Sequence, residues 1–307
     1  MLNPNMKTRY LVISPAKDEA ERIEKTIQAM IRQTILPVRW VIVDDGSQDR
    51  TSEIVRNYAG KHSWIQLHRI ERDAKRKLGS AEIQAFATGF GLVKNVDFDF
   101  VVKLDCDLDL PANYFEYLLE KFHADDRLGI ASGQFYEDGP NGWNVSWMPP
   151  YHVAGASKVV RSQCFEDIGG FPTRPGWDTA DEIKAQFRGW KTCHFPELSF
   201  YHLRKEGAAL GFLRTNLLHG EIYYVCGGGA LFFALKVFHR MFTSRPFVFS
   251  GLALTWGYLR ALLTRKKRLV NESEQEFYKN ALNQRIWGRL SRDEKQRESS
   301  AQNGFAT

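Results

Sequence analysis

Short apolar runs alternate with amphipathic stretches through the first hundred residues. Residues 10–14, 40–43, 64–70 and 98–104 are rich in β-branched and aromatic side chains and predict strands. Ile23, Ile27, Met30 and Ile31 recur at helical spacing behind Asp18 and Glu21, which read as a capping box. A second helix is predicted over 51–58, with Ile54, Val55 and Tyr58 inward and Gly60 as its stop. A third is predicted over 80–93, with Ile83, Phe86, Ala87 and Phe90 on one face. This β-α-β-α rhythm predicts an α/β fold, a mostly parallel sheet with helices on both faces. Ligands of such sheets bind at the carboxyl ends of strands.

Two of those strand ends are acidic. Asp44-Asp45-Gly46-Ser47 follows the second strand, and Asp105-Cys106-Asp107 follows the fourth. Carboxylates one residue apart repel each other and cannot be buried uncompensated. A hard divalent cation, Mg2+ or Mn2+, carrying substrate phosphates answers both problems; an acidic strand end facing water is the competing reading. The turn after the first strand is Pro15-Ala16-Lys17-Asp18-Glu19, without glycine, and no P-loop is present. Those absences exclude a glycine-rich dinucleotide, methyl-donor or nucleotidylyl-transfer loop. What remains is a site that holds a nucleotide with acids.

Composition adjusts the picture at its margins. The 307 residues are 43% hydrophobic and 25% charged, as in a folded chain, with a net charge of +6. That mild basic excess suits an anionic substrate or membrane surface and is too weak to argue for nucleic acid. Four scattered cysteines without zinc or disulfide spacing point to a reducing compartment. The polar first nine residues and the short run after them are not a secretory leader.

Ser14-Pro15-Ala16-Lys17-Asp18-Glu19, Val43-Asp44-Asp45-Gly46-Ser47 with Asp49-Arg50-Thr51, and Asp105-Cys106-Asp107 resemble, in order and spacing, the signatures of family-two glycosyltransferases. Arg161 with Ile168-Gly169-Gly170-Phe171 resembles the segment ahead of that family's acceptor site. The resemblance covers roughly residues 9–205. It implies a GT-A fold (a Rossmann-like sheet), a nucleotide-diphosphate sugar donor, usually Mg2+ or Mn2+, and inversion at the anomeric carbon. It further implies that Pro15, Ala16, Asp18, Glu19, Asp44 and Asp45 hold the nucleoside, and that Arg76 and Lys77 lie in a basic donor loop. Asp105 would contact sugar or ribose, and Asp107 the metal, with His202 as a further ligand. The alternatives are a turn and helix cap for Asp44, Asp45 and Ser47, a solvated charge run for Arg76 and Lys77, and a structural imidazole for His202. Arg204 is a candidate for holding the diphosphate.

In the same family the base that takes the acceptor proton is the Asp of a Glu-Asp pair ahead of a helix. Cellulose-synthase-like relatives place it eleven residues before a Gly-Trp, and Asp178 stands eleven residues before Gly189-Trp190, with Trp177 in place of the Glu. Asp181 is the other candidate; its structural alternative is a first-turn acid favoured by the helix dipole. The helix that follows is expected to turn Ile183 and Phe187 inward. Trp143, Trp147 and Tyr151, with Pro149-Pro150, suit either an acceptor-side loop or plain hydrophobic packing.

Beyond about residue 206 the pattern changes. Residues 223–235 and 247–259 are thirteen-residue apolar runs, short of the ~20 that a membrane span needs. Arg240, Arg245 and Arg265-Lys266-Lys267-Arg268 flank them, which predicts a helical, membrane-interface segment; a soluble helical subdomain is the alternative. The expected organisation is a catalytic domain over 1–205, C-terminal apolar helices over 206–290 and a disordered tail over 291–307. The expected function is sugar transfer from a nucleotide-diphosphate donor to a lipid-linked or polysaccharide acceptor at the cytoplasmic side of the cell membrane. Transfer to polyprenyl phosphate is the nearest alternative, and an inactive membrane scaffold is the alternative of another class.

Overall fold

The computed structural model describes residues 8–71, 80–139, 142–204, 211–243 and 246–286. Arg76, Lys77, Arg245 and the tail over 291–307 lie outside these residues. The chain divides into two compact units, Met1–Ala208 and Ala209–Thr307.

The first unit opens with β1 (Tyr10–Ala16), α1 (Ile23–Ile31), β2 (Arg39–Asp44), α2 (Thr51–Ala59), β3 (Ile65–Arg69), α3 (Ala81–Val93) and β4 (Phe100–Leu104). It continues with β5 (Leu108–Asp109), α4 (Tyr114–Ala124), β6 (Leu128–Gly139), β7 (Gly142–Val145), β8 (Ser157–Arg161), α5 (Ser162–Asp167), α6 (Trp177–Phe187) and β9 (Lys191–His202). Among the described residues the strands form one sheet in the order β3-β2-β1-β4-β8-β6-β9-β5, with β7 on β6.

Side chains alternate across this sheet and feed two cores. Tyr10, Val12, Ile42 and Val102 pack with α1, α2 and α4, whereas Leu11, Ile13, Val41 and Val101 pack with α3, α5 and α6. Burial on both faces explains why β1, β2 and β4 read as unbroken apolar runs. The run β3-β2-β1-β4 is parallel throughout. From β8 onward the sheet is mixed, which corrects the mostly parallel expectation: β8 begins at the rim where β4 ends, Ser157 opposite Leu104, so the two must run antiparallel. β6 then pairs antiparallel with β8 and parallel with β9.

Three local expectations also change. The Asp18–Glu21 capping box does not form; α1 starts at Ile23, and Asp18 takes a left-handed φ of 52° and accepts from the Gln48 N–H at 2.8 Å instead. On α3 Ala87 is exposed, and the small residues turned inward are Ala81, Ala85 and Gly89. A Cβ at Gly89 would stand 2.6 Å from Val43 and 2.8 Å from Ile13, so the helix meets the sheet at its glycine. Phe187 ends α6 facing solvent, while Trp177 at the other end is buried.

The second unit contains α7 (Phe212–Val225), α8 (Ala230–Thr243), α9 (Phe247–Leu263) and a further helical stretch over 272–286. The apolar run over 223–235 is split between two helices, because α7 closes at Cys226 and Gly227 turns with φ of 77°. Tyr223, Phe233, Leu254 and Leu282 form the core of this unit. No helix among the described residues is long and apolar enough to cross a membrane.

Candidate active site

The loops after β1 and β2 are stitched together at the rim of the sheet. The Asp18 N–H donates to Ser47 Oγ at 2.9 Å, the Glu19 N–H to Thr51 Oγ1 at 2.8 Å, and the Ala20 N–H to Asp49 Oδ2 at 2.9 Å. Asp49 also accepts from the Thr51 N–H at 2.9 Å. Asp44 is fully buried beneath this loop, where it accepts from the Ser47 N–H at 2.7 Å and from the Ser52 hydroxyl. It therefore builds the turn and does not reach the cleft. Asp18 is likewise occupied with the neighbouring loop, while Pro15, Ala16, Glu19 and Asp45 line the cleft.

That cleft, of about 150 Å³, opens where β1, β2 and β4 end. Its acids are Glu19, Asp45, Glu82, Asp105 and Asp107, against the cations Lys17 and Arg204. The two-residue strand β5 pairs with the end of β9, Leu108 opposite His202, and the Leu203 N–H donates to the Asp107 carbonyl at 2.8 Å. This pairing sets His202 Nε2 3.2 Å from Asp107 Oδ1. Ligand atoms of Asp105, Asp107 and His202 all lie within 4.8 Å of one another. Arg204 bridges the same group, bonding Glu19 and standing 3.6 Å from Asp107 Oδ2.

Burial first, and crowding after it, sets how these carboxylates hold their protons. Burial, then repulsion from Asp107, pushes Glu19 up to about 7. Burial likewise lifts Asp105 to about 7 against the pull of Lys103. Burial also acts to raise Asp107, but the His202 hydrogen bond and the charges of Arg204 and Lys103 hold it below its ordinary value. Two carboxylates and one imidazole converging in an acid-rich cleft are a donor set suited to Mg2+ or Mn2+.

A second polar cluster lies on the same side of the sheet. Lys103 and Lys158 are opposite each other on β4 and β8, both fully buried. Lys103 Nζ donates to Asp105 Oδ1 at 2.6 Å and pairs with Glu82. Lys158 Nζ contacts both Asp181 oxygens at 3.0 and 2.9 Å, Glu182 at 3.4 Å and the Asp178 carbonyl at 2.9 Å. The Trp177 ring stands between them, 5.5 Å from Lys103 Nζ and 5.2 Å from Lys158 Nζ. Glu182 also accepts from the Val153 N–H at 2.9 Å and meets His152 Nδ1 at 3.0 Å. Asp181 is sealed in this cluster, and burial pushes it up to about 7 even with Lys158 against it. The Asp178 carboxylate is half-buried beside Gly155; it does not line the cleft.

A profile of glycosyl transferase family 2 matches residues 11–174, more than half of the chain. The chain belongs to this family. It is 24% identical over 281 residues to a probable glycosyltransferase, YdaM, of Bacillus subtilis, covering 83% of this chain and 66% of that one. It is 27% identical over 116 residues to the poly-beta-1,6-N-acetyl-D-glucosamine synthase of Staphylococcus aureus, covering 38% of this chain and 26% of the synthase. The chain thus spans less than two thirds of the length of these relatives. Its fold is similar to that of a mannosyltransferase from Pyrobaculum calidifontis solved with GDP-Man and Mn2+, with a TM-score of 0.54, 20% identity, and 85% and 75% of the two chains covered.

Lys103, Lys158, Glu82 and His152 were not singled out by sequence. Lys103 stands next to last in an apolar strand, two residues before Asp105, and a lysine in such a run is the signal that could have flagged it. Arg161, by contrast, is a scaffold residue, donating to the carbonyls of Leu128 at 3.0 Å and Phe122 at 2.6 Å. Trp147 is 72% exposed, and Trp143 lies on β7 with its ring 4.9 Å from Tyr201.

Proposed function

We propose that this chain is a metal-dependent, inverting glycosyltransferase. It moves a sugar from a nucleotide-diphosphate donor to a lipid-linked or polysaccharide acceptor at the cytoplasmic side of a membrane. The observation that carries the reading is the convergence of Asp105, Asp107 and His202 in a cleft richer in acids than in cations. An anionic diphosphate is repelled by such a cleft unless a cation stands between them. Asp107 and His202, with Asp105, would hold Mg2+ or Mn2+, which when bound neutralises charge on the departing diphosphate. GDP-Man and Mn2+ in the mannosyltransferase, and the polysaccharide product of the synthase, support the donor, metal and acceptor classes.

The residues of the chain divide the remaining work. Pro15, Ala16, Glu19 and Asp45 line the nucleoside side. Arg204, held by Glu19, is placed to meet diphosphate oxygens once a donor displaces part of that pair. Asp178 is the acceptor-side base, because Asp181 is committed to Lys158 and closed to solvent. A phosphate acceptor such as polyprenyl phosphate is the second reading; Asp178 lying outside the cleft lining favours it, since a phosphate oxygen attacks without a base. A panel of nucleotide sugars, assayed for binding and turnover with Mn2+ and with Mg2+, tests the reading. Metal-stimulated binding of at least one donor is expected; binding of every donor unchanged by chelator would overturn it.

A further inference from the structure

We propose that α8 and α9 lie in one leaflet of an anionic phospholipid bilayer, with their large apolar side chains in the acyl region. The proposal deepens the membrane part of the reading above, and rests on it, but does not depend on the transfer chemistry.

Both helices are inside out for water. A helix on a soluble protein turns its apolar stripe inward and its charges outward. On α8 the exposed large side chains are Leu231, Leu235, Phe238 and Phe242, at positions i, i+4, i+7 and i+11. Phe238 and Phe242 are 64% and 65% exposed. The two cations of this helix, Lys236 and Arg240, are half-buried, on the side of Phe232, Phe233 and Val237 and not on the exposed apolar face. Lys236 Nζ sits 5.5 Å over the Tyr223 ring, and burial lowers its pKa to about 8.

α9 repeats the pattern at the same spacing. Leu252, Trp256, Leu259 and Leu263 are exposed, Trp256 by 57% and Leu263 by 74%. Its inward face is small: Ser250, Gly251, Gly257 and Ala261 are buried, with Leu254. A Cβ at Gly257 would stand 2.0 Å from the Leu217 carbonyl oxygen of α7, and one at Gly251 would stand 2.2 Å from Met241 of α8. Small residues that let backbones touch, with large ones outside, are how helices pack in lipid, where outward apolar surface costs nothing.

Length and charge fix the mode. α8 has 14 residues and α9 has 17, about 21 and 25 Å at 1.5 Å per residue. Both fall short of the ~30 Å hydrocarbon core, so the pair lies in the interface and does not span. Exposed Arg260, Arg265 and Lys267 mark the end of α9, at the level where anionic headgroups attract cations. A second copy of the chain is the poorer occupant, because it brings the same basic ends and a net charge of +6.

Flotation of the full chain with lipid vesicles tests this. The protein should float with phosphatidylcholine vesicles that contain phosphatidylglycerol, and several-fold less with phosphatidylcholine alone. The variant Phe238→Ser/Phe242→Ser/Trp256→Ser should float at least about tenfold less while melting at the same temperature and binding nucleotide sugar unchanged. Wild-type protein that stays at the bottom of the gradient overturns the proposal. So does a dimer that the triple variant dissociates while flotation is unaffected, since a second copy then covers the face. Equal flotation with both vesicle types overturns the anionic-lipid part. Nucleotide-sugar binding is read separately, so failure of the donor reading leaves these outcomes unaltered.

Discussion

Two carboxylate clusters stand at the carboxyl end of this sheet, made of the same residue types and opposite in how their charge is answered. In the cleft, Glu19, Asp105 and Asp107 face His202 and the half-exposed Arg204, and the cleft lining holds more acids than cations. Around α6, Asp181 and Glu182 are closed over Lys158, with His152 capping Glu182 and the sheet shutting out water. Excess negative charge left open is a place for a cation and its ligand. The same charge neutralised internally is a fixture that holds the first turn of α6, and with it Asp178, through the bond from Lys158 to the Asp178 carbonyl. Acid count alone therefore does not separate a site from a scaffold, and neither does a buried lysine, since Lys103 bonds Asp105 at 2.6 Å. What separates them is that Glu19, Asp105 and Asp107 line an open cleft.

The largest break in that contrast is Asp107→Asn. It should weaken Mn2+ binding in calorimetry and lower metal-stimulated transfer by about 10³-fold or more, roughly 4 kcal/mol. Its metal-free melting temperature should fall only slightly, because His202 and Arg204, which hold Asp107 below its ordinary value, lose a partner while repulsion with Asp105 and Glu19 is relieved. A large fall in melting temperature with metal binding intact would make the open cluster a scaffold after all. Lys158→Met is the mirror experiment. It strands Asp181 and Glu182 in the interior and should cost about 3–5 kcal/mol in denaturant unfolding. Adding Asp181→Leu should recover much of that loss, since an apolar pair of similar volume is often no worse than the ion pair. Lack of recovery would mean that Glu182, not Asp181, is the partner that matters.

Asp178→Asn comes next. Turnover should fall about a hundredfold with donor KM little changed, the signature of a lost proton acceptor. Asp181→Asn should act through stability more than through turnover at a temperature where it is folded. The reverse result would move the base into the sealed cluster; equal, small effects on turnover would favour a phosphate acceptor.

How much of this was legible depends on whether the cause was local. The strands and the acids that end them could be read, because apolar runs and the residues following them are contiguous in sequence. His202 could be named, but its approach to Asp107 depends on β5, two residues long and without a pattern of its own. Lys103 and Lys158 meet through a β4–β8 register that joins segments more than fifty residues apart, and no local signal reports it. The same non-local pairing made half of the sheet mixed. Asp18 misled for the opposite reason: its spacing to Glu21 fits a capping box, but the loop after β2 claims its carboxylate first. Asp44 accepts from the Ser47 N–H within its own turn, the role that its position before Gly46-Ser47 also predicts.

The smallest effect concerns the rim of the sealed cluster. Burial alone would lower the His152 imidazole, but Glu182 outweighs it and raises the pKa above the ordinary value. A group raised on folding contributes stability that is complete below its unfolded pKa, about 6.5, and is lost as pH rises through the folded value. The difference in melting temperature between the wild type and His152→Gln should therefore be largest near pH 6 and shrink toward pH 8.5. Using the difference matters, because Glu19, raised by burial to about 7, loses stability over a neighbouring range in both proteins and cancels. Because His152 is partly open to solvent, the change should be only a few degrees. A difference that grows with pH would place a neutral imidazole beside Glu182 and make Lys158 the only cation answering both acids of that cluster.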